Sequence, residues 1–502
     1  MTRSAIIIGA GYGGLALANL LAKSGYTVDV YEKHAVAGGR AGEVVQDGFT
    51  FDTGPSWYLM PEVFDQYYKS LGLSAKKELD IIRLKPGYRV FFENNEPITI
   101  QGNLKKDSAT FESIEPGAGK KLVEYVNRSD EIYQLSVKHF LYTNFQSAKE
   151  LLHKDILRSG GRMLSYAMTP IDQYVSQYMD DLRLKQILEY HMVFLGSSPF
   201  EAPAIYSLMS TLDFKSGVYY PKRGMYSLVR SLVSIGTSLG VRYHFNEEVK
   251  EISVSNGMAT GIHMSDGTHH IADEIISNAD LHYTETQLVP KAYQSFPESY
   301  WKKRQSGPSA LLISLGVKGK IPQLLHHNLF FVDEWRENFE AIYKTKTIPE
   351  NASLYVCNPS KTDKKVAPKG HENIFILVPL PAGIELTATE QAKLVTRFIT
   401  QFSEMADIPD LAERIVTEYI FGPNDFATEY YSWQSGALGG QSHKLFQSAI
   451  FRTPNKSKKV SQLYYVGAGT TPGIGLPMCL MSAQLVYKRI AGIRTSGPVE
   501  TI

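Results

Sequence analysis

Four residues near the N-terminus have the types and spacing to hold a pyrophosphate: Gly9, Gly11 and Gly14, with Glu32 eighteen positions further on. Between a strand and a helix, the first glycine lets the chain turn tightly. The second lets the backbone approach the phosphates, and the third lets the helix lie close on the sheet. The free N–H groups and positive dipole end of that helix then face the anion. A carboxylate closing the next strand can accept both hydroxyls of an adenosine ribose. The chemistry these residues support is the binding of a dinucleotide.

The flanking pattern supplies the elements that must position them. Ala5-Ile6-Ile7-Ile8 predicts a short buried strand, and the small and aliphatic run Leu15 to Ala22 predicts a helix that Gly25 ends. Thr27 to Tyr31 predicts a second strand with Glu32 at its close. The unit is βαβ, the setting the motif requires. Shortly afterwards Arg40 follows the pair Gly38-Gly39, where it can clamp the same phosphates. A solvated arginine in a turn is the alternative. Near the other end, Leu463 to Val466 predicts a strand entering Gly467-Ala468-Gly469, and Gly475-Leu476-Pro477 opens a helix reaching about Arg489. Pro477 stands where a helix start tolerates proline. A glycine-rich loop that only closes a sheet is the alternative there.

Composition narrows the function classes. The 502 residues suffice for about two to four domains. Lys+Arg number 52 and Asp+Glu 51, so the surface offers no general attraction to a polyanion and nucleic acid is not expected as a partner. Cys357 and Cys479 stand far apart in no C-x-x-C context, which suggests neither disulfides nor a cysteine-ligated zinc and fits a reducing, cytoplasmic compartment. The N-terminal apolar run is too short for a signal-peptide core. Leu463 to Val486 is free of charge, but its glycines together with Pro472 and Pro477 exclude a membrane-spanning helix. No Ser-His-Asp order, H-E-x-x-H, paired carboxylates or Walker sequence is evident. The pairs His269-His270 and His326-His327 are expected to point to opposite faces of a strand, so no metal is expected.

Five segments together resemble the bacterial-type phytoene desaturase family of FAD-dependent carotenoid desaturases, within the wider flavin amine oxidase superfamily: EKHAVAGGRAG from Glu32, GFTFDTGP from Gly48, FLGSSPFEAPAIYSLM from Phe194, GVYYPKRGMYSLVRSL from Gly217, and LYYVGAGTTPGIGLPMCLMSAQLV from Leu463. Family members commonly carry histidine where Thr471 stands and a second glycine where Arg223 precedes Gly224; the superfamily often has an acidic residue where Ala468 and Gly469 stand. The resemblance implies an α/β fold: a Rossmann-like FAD-binding domain, a substrate-binding β-sheet domain, and an inserted helical, membrane-associating subdomain. It implies FAD held by Gly9, Gly11, Gly14, Glu32, Gly39, Arg40, Gly54, Val249, Gly467, Gly469, Gly475 and Leu476, with the backbone of Val249 beside the adenine. The helix after Gly475 would then point its N–H groups at the pyrimidine side of the isoalloxazine, where negative charge gathers on reduction.

The implied reaction is hydride transfer from a linear carotenoid to flavin N5, with a proton lost from the neighbouring carbon. The positive charge formed beside a polyene is delocalised, so positioning matters more than strong acids or bases. Dioxygen and membrane quinone are both open as final electron acceptors. An apolar tunnel is expected, with lining candidates in Tyr190 to Leu195, Tyr206 to Met209, Phe330-Phe331 and Tyr430 to Trp433. A water-insoluble substrate implies a peripheral site on the cytoplasmic side of a membrane. The mixed apolar and basic stretch from Lys138 to Arg162 is the candidate for docking there, against an ordinary amphipathic core helix.

Along the chain the expected order is 1–111 flavin segment, 112–218 helical and substrate subdomain, 219–289 second flavin segment, 290–447 substrate-binding domain, and 448–502 third flavin segment. In the helical part, breaks are expected at Gly160-Gly161 and at Pro170; from Val241 to Asp280 hairpins are expected, turning at Asn256-Gly257 and Asp266-Gly267. Three other functions stay open. These are a carotenoid oxygenase or ketolase of the same family, an amine oxidase, and a non-catalytic lipid binder resembling the GDP dissociation inhibitors. Intact Glu32, Gly39 and Arg40 count against the last.

Overall fold

A computed structural model describes residues 2–145 and 154–502, the side chains of 154–160 excepted. Five strands form a parallel sheet in the order Leu463–Tyr465, Glu274–Ser277, Ser4–Ile8, Thr27–Glu32, Arg242–Phe245. Ser4–Ile8 is the central strand, and its isoleucines are buried on both faces, as a covered parallel sheet demands. Helix Tyr12–Lys23 follows it directly and packs between helices Tyr226–Ser238 and Leu476–Ala491. The sheet thus draws on three separate stretches of chain, each assigned to the flavin part from sequence.

The second layer is a seven-stranded sheet ordered Ile415–Phe421, Ser309–Lys318, His371–Leu380, Leu354–Cys357, His327–Phe331, Tyr88–Phe92, Ile98–Ile100. Residues 1–111 therefore also supply two strands to the substrate sheet, which the assignment of that stretch to the flavin part alone did not include. Side-chain alternation gives this sheet two distinct faces. Leu311, Ile313, Leu315, Ile374, Ile376 and Val378 pack with Phe398 and Phe402 of helix Ala388–Met405. Leu312, Phe375 and Leu377 belong to the other, larger core. That helix starts as its sequence dictates: Thr387 and Glu390 form a reciprocal capping box.

The expected hairpins are Val249–Ser255, Met258–Met264 and His269–Ile271, joined by turns in which Asn256, Gly257 and Gly267 take positive φ. Between the two flavin stretches, helix Ala118–Ser136 buries Leu122, Tyr125, Val126, Ser129, Ile132 and Tyr133, a stripe at helical spacing. Helix Lys154–Met168 runs through Gly160 and Gly161 without the expected break. Glycine weakens a helix but leaves its hydrogen-bond ladder intact, whereas Pro170 has no N–H to offer and the helix ends before it. Residues 146–153, part of the stretch read as a membrane-docking helix, lie outside the described residues. Among the described residues no helix is long and apolar enough to cross a membrane.

The packing of the first helix on its strand rests on Gly14, where a β-carbon would sit 2.6 Å from the Gly9 carbonyl oxygen and 3.0 Å from Asn278 Cβ. Because the first of these is backbone, Gly14→Ala is expected to cost about 1–3 kcal/mol, read as a lower denaturant midpoint. An unchanged midpoint would show that this approach is slack.

Candidate functional site

The glycine turn sits where the two central strands end. Gly9 takes φ +93°, a conformation open to glycine, and its N–H donates to Tyr31 O at 2.7 Å. Glu32 is buried, with Oε2 accepting from Ala10 N–H at 2.8 Å and Oε1 from His34 N–H at 3.0 Å. The carboxylate thereby ties the turn to the end of the second strand, and each oxygen retains a lone pair for a further donor. Beneath the turn lies Asn278, just past the strand Glu274–Ser277, whose N–H donates to Ile8 O at 2.8 Å. Nothing in the N-terminal motif signals Asn278, because it enters from the neighbouring strand Glu274–Ser277, far along the chain from the motif.

Of the twelve residues assigned from sequence, ten line one cavity of about 810 Å³: Gly9, Gly11, Glu32, Gly39, Arg40, Gly54, Val249, Gly467, Gly475 and Leu476. Gly14 and Gly469 do not. Gly14 carries the helix packing described above, and Gly469 faces Leu281. Arg40 is not the solvated arginine of the alternative reading. Its guanidinium donates to Ser432 Oγ, lies 3.7 Å from Asp280 and 5.6 Å from the Tyr430 ring centre, and its Nε is buried without a partner. Lys33 places its ammonium 3.6 Å from the ring centre of Tyr431, which stacks on Tyr283 and donates to Glu248. These partners come from residues 248–283 and 430–432; Tyr430, Tyr431 and Ser432 were expected to line a substrate tunnel, and Glu248, Asp280 and Tyr283 were not named as site residues.

At the C-terminal end, helix Leu476–Ala491 starts at Gly475 with no side-chain cap, so its first N–H groups open toward the cavity that Gly475, Leu476, Pro477 and Met478 line. The loop before it is held by Arg452, a buried guanidinium that donates to the carbonyls of Ala468, Thr470 and Gln441 at 2.9, 3.1 and 3.2 Å. Burial pushes its pKa down to about 10. Against Gly473 packs His443, paired through Nδ1 with Leu195 O at 2.7 Å. Burial, reinforced by the charge of Arg452, pushes His443 down to about 3, so the ring is neutral. His443 lines the cavity where Thr471 departs from the related pattern, and sequence reading missed it.

The lining candidates divide. Phe194, Leu195, Tyr206, Leu208, Met209, Tyr430 and Tyr431 face the cavity. The rest pack elsewhere: Phe330 stacks on Phe91, Trp433 lies against Trp301, and Tyr190 donates to buried Asp213. His269 and His270 diverge as expected, one stacking on His263 and the other tilted over Tyr31. His326 and His327 do not. His326 precedes the strand His327–Phe331, so strict alternation does not apply and the two ring centres lie 4.5 Å apart.

The residues present fit a flavin dinucleotide: a ribose acceptor at Glu32, an orphaned guanidinium nitrogen at Arg40 and an uncapped helix start at Gly475. Glu32→Ala and Arg40→Ala are each expected to weaken FAD retention by about tenfold or more, since a hydrogen bond to a charged group contributes about 1.5–3 kcal/mol. Flavin absorbance after gel filtration is the measurement, and full retention in either variant would remove that residue from the site.

A profile of the flavin containing amine oxidoreductase family matches residues 12–490. The chain is 37% identical over 479 residues to a carotenoid 3,4-desaturase of Haloarcula japonica, covering 95% of this chain and 96% of that one. It is 32% identical over 491 residues to a zeta-carotene-forming phytoene desaturase of Myxococcus xanthus, covering 97% and 94%. Among solved structures, a putrescine oxidase with putrescine bound shares the fold, with a TM-score of 0.64 at 15% identity over 98% of this chain and 99% of that one. The agreement runs along nearly the whole length: the chain belongs to the flavin containing amine oxidoreductase family and is an FAD-dependent enzyme.

Proposed function

We propose that the enzyme introduces conjugated double bonds into phytoene or a related linear carotenoid. The observation that carries this reading is the division of polarity along the cavity. Its charged lining, Glu32, Lys33, Arg40, Glu247, Glu248, Asp280 and Glu429, belongs to the dinucleotide end. Among the described residues, the lining drawn from residues 133–212 and 437–451 contains no carboxylate, lysine or arginine. An ammonium substrate entering that half would lose its hydration without a counter-charge, a penalty of several kcal/mol (roughly) by the usual desolvation argument. A hydrocarbon loses nothing there and gains burial. The full-length likeness to carotenoid desaturases points the same way.

FAD, when bound, supplies the hydride acceptor. The work of the chain is to position substrate and exclude water. Phe194, Leu195, Leu208 and Met209 offer apolar contact, and the neutral His443 adds a polar group without a charge. Leu312 and Leu377 bring the seven-stranded sheet to the same wall.

A hydrocarbon substrate reaches such a cavity from a bilayer, so the enzyme acts as a peripheral protein at the cytoplasmic side of a membrane. The support for this is an apolar rim. Leu164, Ile450 and Phe451 line the cavity and are also exposed, and Met168 and Phe446 add further exposed apolar surface in the same two segments. Dioxygen or a membrane quinone takes the electrons when the flavin is reoxidised.

Anaerobic incubation with phytoene in liposomes tests the reaction. Flavin bleaching together with new polyene bands at longer wavelength is expected; bleaching by amines alone, or oxygen incorporated into the product in air, would overturn desaturation. Vesicle flotation tests the rim. The double variant Leu164→Asp, Phe451→Asp is expected to lose vesicle binding while keeping its flavin, and unchanged flotation would remove these residues from the docking face.

A further inference from the structure

Behind the cavity wall, three groups that the reaction does not use come together. His327 opens one strand of the seven-stranded sheet and pairs in register with Cys357, at the end of the next. His326 precedes the same strand. All three side chains are buried, and one donor atom from each lies within 4.8 Å of the other two.

The second ring nitrogens set the pattern. His326 Nδ1 pairs with Thr362 Oγ1 at 2.7 Å, and His327 Nδ1 with Tyr355 Oη at 2.7 Å. The Nε2 atom of each ring is buried without a partner. Two orphaned imidazole nitrogens are costly inside a protein. A hydroxyl partner on Nδ1 is also what orients a histidine whose Nε2 ligates a metal. We propose that His326, His327 and Cys357 form a binding site for a thiophilic d10 metal ion, with Cu(I) favoured over Zn(II).

Charge and donor number select the ion. The site offers two imidazole nitrogens and one thiol, and all three side chains are buried. Cu(I) replaces the thiol proton, which leaves to water, so the buried cluster keeps its charge. Zn(II) in the same exchange would leave one net positive charge there. Three donors of one sulfur and two nitrogens suit Cu(I), whereas structural zinc sites use four. Metal bonds of about 2.0–2.3 Å require the donors to draw in slightly. Trp57 stacks on His327 with ring centres 4.2 Å apart and also lines the cavity, so occupancy is communicated to the wall of the substrate site.

The test uses the flavin-loaded protein, titrated anaerobically with Cu(I) against a chromogenic chelator and in parallel with Zn(II). One equivalent of Cu(I) per chain is expected, with an X-ray absorption signature of one sulfur and two nitrogens. Cys357→Ser, a one-atom change, is expected to weaken Cu(I) binding by about 100-fold or more at unchanged flavin content, while Cys479→Ser retains it. Absence of binding, or equal binding by Cys357→Ser, would overturn the site. Preferential uptake of Zn(II) would overturn the assignment to a monovalent ion. In Trp57→Phe the fluorescence change on Cu(I) addition is expected to vanish; a persisting change would place the metal elsewhere.

Discussion

Three distant pieces of chain converge on Asn278 with no room for a β-carbon between them. A Cβ on Gly13, Gly14 or Gly467 would come within 3.0 Å of its side chain, and one on Gly11 would overlap it. The phosphate-binding turn, the closing strand of the parallel sheet and the C-terminal glycine loop are therefore locked into one another by close approach rather than by side-chain packing. The position of everything downstream follows. Helix Leu476–Ala491 begins only a few residues after Gly467, so its uncapped start is aimed by the same contact that seats the N-terminal helix. The parallel sheet supplies the rigid base on which this close fit can be maintained.

From that base the molecule separates polar from apolar work. The dinucleotide end collects carboxylates and cations that are paired with one another or with rings, as Arg40 is with Asp280 and Tyr430. Away from it, burial shifts two groups toward their uncharged forms. His443 is pushed down to about 3, and Glu189, which accepts from Trp335 Nε1 at 2.8 Å, is pushed up to about 8. Asp213 sits in a pocket of hydroxyls, accepting from Tyr88 and Tyr190 at 2.7 and 2.9 Å. Hydrogen bonds of this kind stiffen the surroundings of the cavity. The two-faced sheet assists: one face closes on helix Ala388–Met405, and the other gives Leu312 and Leu377 to the cavity wall.

The FAD-binding base was largely legible in the linear chain. Gly9, Gly11, Gly14 and Glu32 stand in a βαβ unit of contiguous residues, and each role depends on neighbours a few positions away. The turns at Asn256-Gly257 and Asp266-Gly267 and the Gly475-Leu476-Pro477 helix start were legible for the same reason. Misreadings occurred where a local rule met a non-local context. Gly160-Gly161 stays helical, and Tyr190, Phe330 and Trp433 serve the core. An aromatic residue carries no local mark that tells a cavity wall from a core, since both bury it.

By itself the sequence determined the dinucleotide unit and the kinds of element that follow it, because these depend on residue type and short-range spacing. Only the tertiary structure decided which distant residues meet: Arg40 with Asp280 and Ser432, His443 with Leu195 and Gly473, and His326 and His327 with Cys357. Those encounters depend on the order in which strands enter the sheets and on where the chain returns to them. Periodicity cannot encode that path, and the packing of the whole molecule selects it.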